Sequence, residues 1–471
     1  MNGIPDSTHS NLTDEMRWSL VKLSPVALDI LDACRAVGGH PIIVGGAVRD
    51  ALLLMDSSTT VQSVGPKDID IEVFGDVDES RIIENLRLVA RVDIAGESFR
   101  VMKLSSQGEL FDLSLAPESS DFATACLRRD FTINAIGWDP ESGEVLDPRS
   151  GRVDLLAGVI NLVSSSSFDD DPLRVIRAAQ FVARFGFALT PSTVAAARVV
   201  SDRFPEIARE RVWVEWRKIA CRGRYISRAL AALVDTDWIR HFPALDATRG
   251  VEQDARWHAE GDVFTHLGLA ADHAANDGRE QGWTEATREL FVLAALLHDV
   301  GKPGTTESHP DGSITSLGHE SHGAPIAEGF LAQIGSPTAL QRRVGILVRE
   351  HMVHASVRGI PSPAAVRRLV RRLDSNGTGV TINDWVSLLA SDVGGRASSS
   401  RESPAATWLN IAAKVGPAPQ PPLLLRGQHL IARGFVPGPE FRLILAEAVR
   451  AQDDGVIATE AEAAAWLARR S

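Results

Sequence analysis

Between residues 26 and 163 the chain alternates short apolar, β-prone runs with helix-like segments, and beyond Asp169 helical spacing takes over. The runs at 42–44, 70–74, 101–104, 110–115 and 159–163 read as strands, and 134–138 with 143–147 suggests a further strand and turn. This predicts an α+β head built on a small mixed sheet. Apolar positions at helical spacing over 172–185, 191–200, 210–221 and 228–234 predict an all-α body, and the same spacing continues over 264–275 and 289–299. Residues 398–422, rich in Ser, Ala and Pro, read as a linker with a short helix near Trp408. The pattern divides the chain into a variable extension (1–25), the head (26–163), a helical neck and body (164–250), a histidine-rich helical domain (251–395), a linker (396–423) and a helical C-terminal module (424–471).

Composition narrows the class without fixing the function. With 471 residues the chain is long enough for roughly three domains of ~150 residues, and 44% hydrophobic with 23% charged residues is ordinary for a globular protein. No apolar run approaches the ~18 residues needed to cross a bilayer. The polar stretch 1–15 has no basic start and no apolar centre, so no export signal is expected. Three widely spaced cysteines, Cys34, Cys126 and Cys221, suit a reducing cytoplasm. The net charge of −12 does not announce a nucleic-acid binder, yet basic residues concentrate locally at Arg217-Lys218 and at Arg222 and Arg224.

The chemistry begins at Ile43-Val44-Gly45-Gly46-Ala47-Val48-Arg49-Asp50, where an apolar run breaks at paired glycines and passes into a helix-like segment. Gly45 and Gly46 let backbone N–H groups approach a phosphate, and Arg49 adds a planar cationic fork. Downstream, Asp68 and Asp70 stand at i and i+2 in a β-prone run, a spacing that places both carboxylates on one face for divalent ions. Asp112, in another such run, offers a third carboxylate. A metal pair held by carboxylates beside a phosphate cradle is machinery for phosphoryl or nucleotidyl transfer. In Arg128-Arg129-Asp130-Phe131-Thr132-Ile133-Asn134, the arginines followed by Asp130 and Asn134 suit a triphosphate and sugar hydroxyls. In Asp169-Asp170-Asp171-Pro172-Leu173-Arg174-Val175-Ile176-Arg177, Pro172 marks a helix start, and Asp171, Arg174 and Arg177 are expected on one helix face.

These segments together resemble the class II tRNA nucleotidyltransferase and poly(A) polymerase family of the polymerase-β-like superfamily. The matching stretches are GGAVRD at 45–50, DID at 68–70, RRDFTINA at 128–135, DDPLRVIRAAQFVARFGF at 170–187 and ERVWVEWRK at 210–218, in the family's order. The resemblance implies that Asp68 and Asp70 bind catalytic Mg2+ and activate an RNA 3′-hydroxyl for attack on the α-phosphate of CTP or ATP. It implies that Gly46, Arg49, Arg129, Arg174 and Arg177 contact the incoming nucleotide, and that Asp171 and Arg174 pair with the base edge as a protein template. Three features depart from the family's pattern. Asp170 stands where Glu is usual, Leu115 where Arg usually ends the strand, and the short 117–125 loop carries Ala125 where an acid is expected. That loop is linked in the family to switching from C to A addition. The expected activity is therefore CCA addition to tRNA, with a poly(A) polymerase or A-adding enzyme as the alternative.

The histidine-rich region carries a second constellation. His298-Asp299 closes an apolar helix and leads into Val300-Gly301-Lys302-Pro303, with His266 upstream and Asp392 downstream. The order resembles the HD metal-dependent phosphohydrolase superfamily, which implies a divalent-metal site formed by His266, His298, Asp299 and Asp392. His319, His322 and His351 are candidates for further ligands. An alternative of another class follows, an HD phosphohydrolase whose head only binds nucleotide. The tail from 424 to 467 resembles the family's RNA-gripping module through Gly427, Leu430, Gly434 and the Pro437-Gly438-Pro439 turn, although an α-hairpin packing on the body accounts for the same residues.

Overall fold

A computed structural model describes residues 23–55, 68–95, 101–117, 120–357, 359–397, 405–415, 422–453 and 456–469. The expected extension lies almost wholly outside the described residues. Within the expected linker, the helix near Trp408 is described as Ala405–Val415. The chain forms two compact units, Met1–Val182 with Gly186–Pro205, and Ala183–Phe185 with Glu206–Ser471.

The first unit is built on strands β1 (His40–Val44), β2 (Asp68–Phe74), β3 (Arg91–Ala95), β4 (Val101–Ser106), β5 (Glu109–Leu115), β6 (Gly137–Trp138) and β7 (Val145–Leu146). They form one mixed sheet in the order β3-β4-β5-β2-β1-β6-β7. Strand β2 runs parallel to β5 and antiparallel to β1. Alternation along the central strands decides the two faces. Ile69, Ile71, Val73, Phe111 and Leu113 turn into a core shared with helices α1 (Pro25–Arg35) and, after α2 (Gly46–Met55), α3 (Glu79–Leu86). Helix α1 starts cleanly because Ser24 Oγ accepts the Ala27 N–H at 3.1 Å and proline takes the next position, where no backbone donor is needed. The opposite sheet face carries Asp70, Glu72 and Asp112.

Two differences from the sequence pattern have physical reasons. Strand β3 escapes the pattern because Arg91 and Asp93 interrupt its apolar positions and Ile94 is exposed, as suits an edge. Val159–Ile160 does form a strand, but it pairs in parallel with Ala188–Leu189 as a separate two-stranded sheet and does not join the main one.

After helix α4 (Leu173–Phe185), which Gly186 ends with a positive φ, the described chain is almost entirely helical. The second unit contains α5 (Arg209–Arg222), α6 (Val263–Glu280), α7 (Glu285–Leu297), α8 (His319–Gln333), α9 (Thr338–Glu350) and α10 (Ile382–Gly394) among its helices. Helix α7 is buried over its whole C-terminal half, from Leu290 to Leu297, so it delivers His298 and Asp299 to the interior. The C-terminal module has a small core of its own around Leu430, Ile444, Ile457 and Trp466. No described helix is long and apolar enough to cross a membrane.

The turn after Asp299 packs directly on α8. A Cβ at Gly301 would lie 2.1 Å from the His319 carbonyl oxygen and 2.6 Å from the Gly323 nitrogen, both backbone atoms that cannot rotate away. Gly301→Ala is therefore expected to lower stability by about 2–3 kcal/mol, read as a reduced urea midpoint; an unchanged midpoint would show that α8 yields freely.

Candidate functional site

In the first unit, four polar elements meet at the end of β1. Gly45 leaves the strand with φ +70°, a left-handed conformation that favours glycine. A Cβ on it would lie 3.2 Å from Asp70 Oδ2 and 3.4 Å from Arg129 Nη1. The glycine thus leaves room for a carboxylate and a guanidinium to approach one point, beside the first turn of α2 that Gly46 opens. Asp70 is in register with Val44 on one side and with Asp112 on the other. Asp112 is half-exposed and pairs with Lys103 across the β4–β5 ladder at 3.3 Å. Asp68 opens β2 two residues before Asp70, in register with Leu110.

The turn from Arg128 to Asn134 is held by buried charge pairing. Asp130, buried, accepts the Phe131 N–H at 2.7 Å, the Asn134 amide at 2.9 Å and Arg177 Nε at 2.5 Å. Burial alone would raise its pKa, but the Arg177 cation and the Asn134 hydrogen bond outweigh it, and the carboxyl titrates below the usual range. Asn134 in turn accepts a hydrogen bond from Arg49, which is also buried and donates to Asp50 at 2.7 Å. The Phe181 ring packs against both cations, its centroid 5.1 Å from Arg49 Cζ and 5.4 Å from Arg177 Cζ. Thus Arg49, Asp130, Asn134 and Arg177 form one connected network.

Glu72 is the participant that the sequence reading did not single out. Two residues after Asp70 on the same strand, it is buried and accepts Arg128 Nη2 and Arg129 Nη2 at 2.8 Å each. Its signal was the unbroken acid alternation Asp68, Asp70, Glu72. One expectation is corrected. Asp171 does not share a helix face with Arg174 and Arg177, because it precedes α4 in an extended conformation and its carboxylate accepts the Leu173 N–H at 3.2 Å. Arg174 spends its donors on the carbonyls of Arg128 (2.7 Å), Arg129 (3.4 Å) and Ser167 (3.0 Å), which fastens α4 to the double-arginine turn.

In the second unit, His266, His298, Asp299, His319, His351 and Asp392 are all buried and converge. Each imidazole is oriented from behind. The Nδ1 atoms of His298, His319 and His351 donate to the carbonyls of Ala295 (2.8 Å), Ser316 (2.6 Å) and Val348 (2.6 Å), and His266 Nδ1 donates to Glu260 at 2.8 Å. With Nδ1 committed as the donor, a neutral ring presents a lone pair at Nε2. The Nε2 atoms nevertheless face each other, His266 to His298 at 3.3 Å and His319 to His351 at 3.2 Å. Opposed lone pairs at that distance are relieved by a proton on one ring or by a metal ion held by both, and backbone-anchored imidazoles with carboxylates are the donor set that divalent metals take.

Asp299 divides the cluster into two candidate ligand sets. Its Oδ2 lies 3.2 Å from His298 Nε2 and 3.8 Å from His266 Nε2, and Asp392 Oδ1 completes that set at 3.1 Å from His266. Its Oδ1 faces His319 at 3.0 Å and His351 at 3.6 Å. Burial pushes the His266 pKa down, but Asp392 and Glu260 overcome it and raise it to about 9, so the site already attracts positive charge. Lys302 lies 2.6 Å from Asp299 and Arg396 lies 2.6 Å from Asp392, so both carboxylates also carry a cationic partner. His322 does not join the ligands; it lines an apolar cavity of about 370 Å³ with Pro243, Val300 and Phe330.

Comparison with known proteins finds a match in each of the two regions. Residues 42–161 match the poly A polymerase head domain, and residues 263–382 match the HD domain. The multifunctional CCA protein of Nitrosospira multiformis is 30% identical over 370 residues, 75% of this chain and 83% of that protein. The A-adding tRNA nucleotidyltransferase of Deinococcus radiodurans is 33% identical over 360 residues, 73% of this chain and 78% of that protein. The Bacillus stearothermophilus CCA-adding enzyme in complex with CTP superposes with a TM-score of 0.59 at 21% identity, covering 95% of this chain and 98% of its own. The Thermotoga maritima CCA-adding enzyme complexed with tRNA gives 0.53 at 19%, covering 96% and 97%.

The histidine geometry predicts metal-linked stability. Titrating Mn2+ into chelator-stripped protein is expected to raise the thermal midpoint, with about 2.7 kcal/mol gained at a hundredfold excess over Kd. His298→Ala should abolish the rise. A midpoint indifferent to Mn2+, Mg2+ and Zn2+ in the unsubstituted protein would exclude a metal centre.

Proposed function

The chain belongs to the CCA-adding tRNA nucleotidyltransferase family, and from that premise we propose that it builds the CCA end of tRNA from CTP and ATP at the site around Gly45. The observation that carries this reading is the convergence of the Asp70 carboxylate and the Arg129 guanidinium on one glycine at the opening of α2. In this reading Asp68 and Asp70 hold Mg2+, and Asp112 stands beside them on the adjacent strand as the third carboxylate. The chemistry that bound Mg2+ supplies is neutralisation of the triphosphate and activation of the RNA 3′-hydroxyl.

The chain's own groups do the rest. The N–H groups that open α2 at Gly46 and the Arg129 fork bind triphosphate oxygens. Arg49, fastened to Asn134 and Asp50, holds the glycine turn against the Asp130 turn. The 3′-hydroxyl attacks the α-phosphate, and pyrophosphate leaves along the arginine side. Asp171 and Arg174 read the base edge, for which Arg174 exchanges carbonyl partners for base atoms. Glu72 sets the direction of Arg129. RNA and nucleotide substrates support a cytoplasmic location for this activity. His266, His298, Asp299, His319, His351 and Asp392 would hold divalent ions, which would supply Lewis-acid activation of water for phosphohydrolase chemistry.

Addition of A alone is the second reading, favoured by the similarity to the Deinococcus enzyme and by the short segment between β5 and Arg128, which closes in a four-residue helix, Phe122–Ala125. Incubation with tRNAs ending before, within and after CCA, each with CTP or ATP alone, separates the readings. CCA addition requires CTP incorporation on the shortest tRNA and no addition after the completed end; incorporation of ATP only selects the second reading. Asp68→Ala with Asp70→Ala is expected to abolish incorporation, and retained incorporation would refute their assignment. Glu72→Gln is expected to raise the KM for nucleotide about tenfold, the loss of about 1.4 kcal/mol of charge-assisted binding, with a smaller change in kcat; an unchanged KM would remove Glu72 from the site.

A further inference from the structure

The two basic spots visible in the sequence have different fates in the second unit. Arg217 pairs with Glu285 and Glu289 at 3.5 and 3.3 Å, and Lys218 pairs with Glu215 at 2.7 Å. Their charge is spent internally. At the end of α5, by contrast, further cations collect around Arg279. Arg279, from the last turn of α6, donates through Nη2 to the carbonyls of Arg222 and Gly223. The preceding residue, Gly278, packs against the stem of Arg288, whose Cγ lies 2.9 Å from the position a Cβ would take there. Asn276, one turn earlier on α6, donates to the Arg224 carbonyl at 3.3 Å.

Neither Arg279 nor Arg288 forms an ion pair among the described residues, and the Nε–H of each is buried without an acceptor. Burial, followed by the charges of Arg224, Arg288 and Arg184, pulls the Arg279 pKa down to about 10, the mark of a cation crowded by like charges. The crowding is not imposed by composition. With 61 acidic against 49 basic residues, carboxylates were plentiful. Beside the cluster stands Tyr225, the only tyrosine in the chain and 37% exposed, with Arg228 Cζ 5.2 Å over its ring. Crowded guanidinium groups lower their energy when an external polyanion meets them, and an exposed aromatic ring among arginines suits a nucleic acid better than a free anion.

We propose that Arg279 and Arg288, with the neighbouring Arg222–Arg224 turn, form a docking surface for the phosphate backbone of the RNA substrate, outside the residues assigned to nucleotide transfer. This rests on the reading of the chain as an RNA nucleotidyltransferase. The surface supplies affinity without reading sequence, because its donors address phosphate oxygens. It also explains how a chain of net charge −12 can hold RNA: the charges of Arg279 and Arg288, which form no ion pair among the described residues, are concentrated in one place.

The test compares the full chain with the double variant Arg279→Ala, Arg288→Ala, using fluorescently labelled tRNA that lacks its CCA end, over a series of salt concentrations. The expected result is a Kd about tenfold weaker and a slope of log affinity against log salt reduced by about 1–2. The KM for tRNA should rise in step, while the KM for CTP stays unchanged. Arg279→Lys with Arg288→Lys keeps both charges and is expected to retain most of the affinity. Wild-type Kd and salt slope in the alanine variant, with CCA addition intact, would overturn the docking surface and leave the transferase reading standing. A lysine variant as weak as the alanine one would also overturn it, because the residues then act by shape and not by charge. Displacement of tRNA by millimolar inorganic phosphate at constant ionic strength would reassign the cluster to a free anion. Failure of the unsubstituted chain to extend any tRNA would refute the transferase reading itself.

Discussion

A buried carboxylate, Asp130, fixes the polar architecture of the first unit. An ionised group sealed from water is costly unless its lone pairs are met, and here a backbone N–H, an amide and a guanidinium meet them. Each partner is thereby aimed. Asn134 presents its oxygen to Arg49, which stands on the helix that begins at the glycine turn. Arg177 draws α4 onto the same turn, with the Phe181 ring against both cations. Removing the carboxylate would take a partner from Arg177, from the Asn134 amide and from the Phe131 N–H at once, so the fold and the site share one electrostatic dependency. Glu72 repeats the device one strand over by holding Arg128 and Arg129.

The second unit solves a related problem with the opposite sign. Its four imidazoles are held by their outer nitrogens, three on backbone carbonyls and one on Glu260, so the inner nitrogens must all face inward. Such a cavity is electron-rich by construction. Asp299 lies at its centre with one oxygen toward each histidine pair. The close packing of Gly301 on α8 lets that reach occur, since any side chain there would push His319 away from Asp299.

Much of this was legible along the chain. The acid alternation of β2, the glycine pair after β1 and the His-Asp step after an apolar helix are local patterns, and local patterns survive in sequence. The fold class followed from the change of period after Asp169. Less legible were the features set by neighbours distant in sequence. Strand β3 hides because an edge strand needs no apolar face of its own. Asp171 was expected on α4 because spacing alone cannot say that the helix begins two residues later, where the carboxylate serves the Leu173 N–H instead. His322, three residues from His319, shares its helix but lines an apolar cavity instead of the cluster.

The sequence by itself determined which chemical groups are available and at what local spacing, because strand and helix periods are properties of adjacent residues. Only the tertiary structure decided which charges are spent and which remain. Glu72 is consumed by two arginines 56 and 57 residues away, and Arg217 is neutralised from another helix while Arg279 is left among like charges. Ion pairing depends on distances through space, and those distances exist only once the chain has folded.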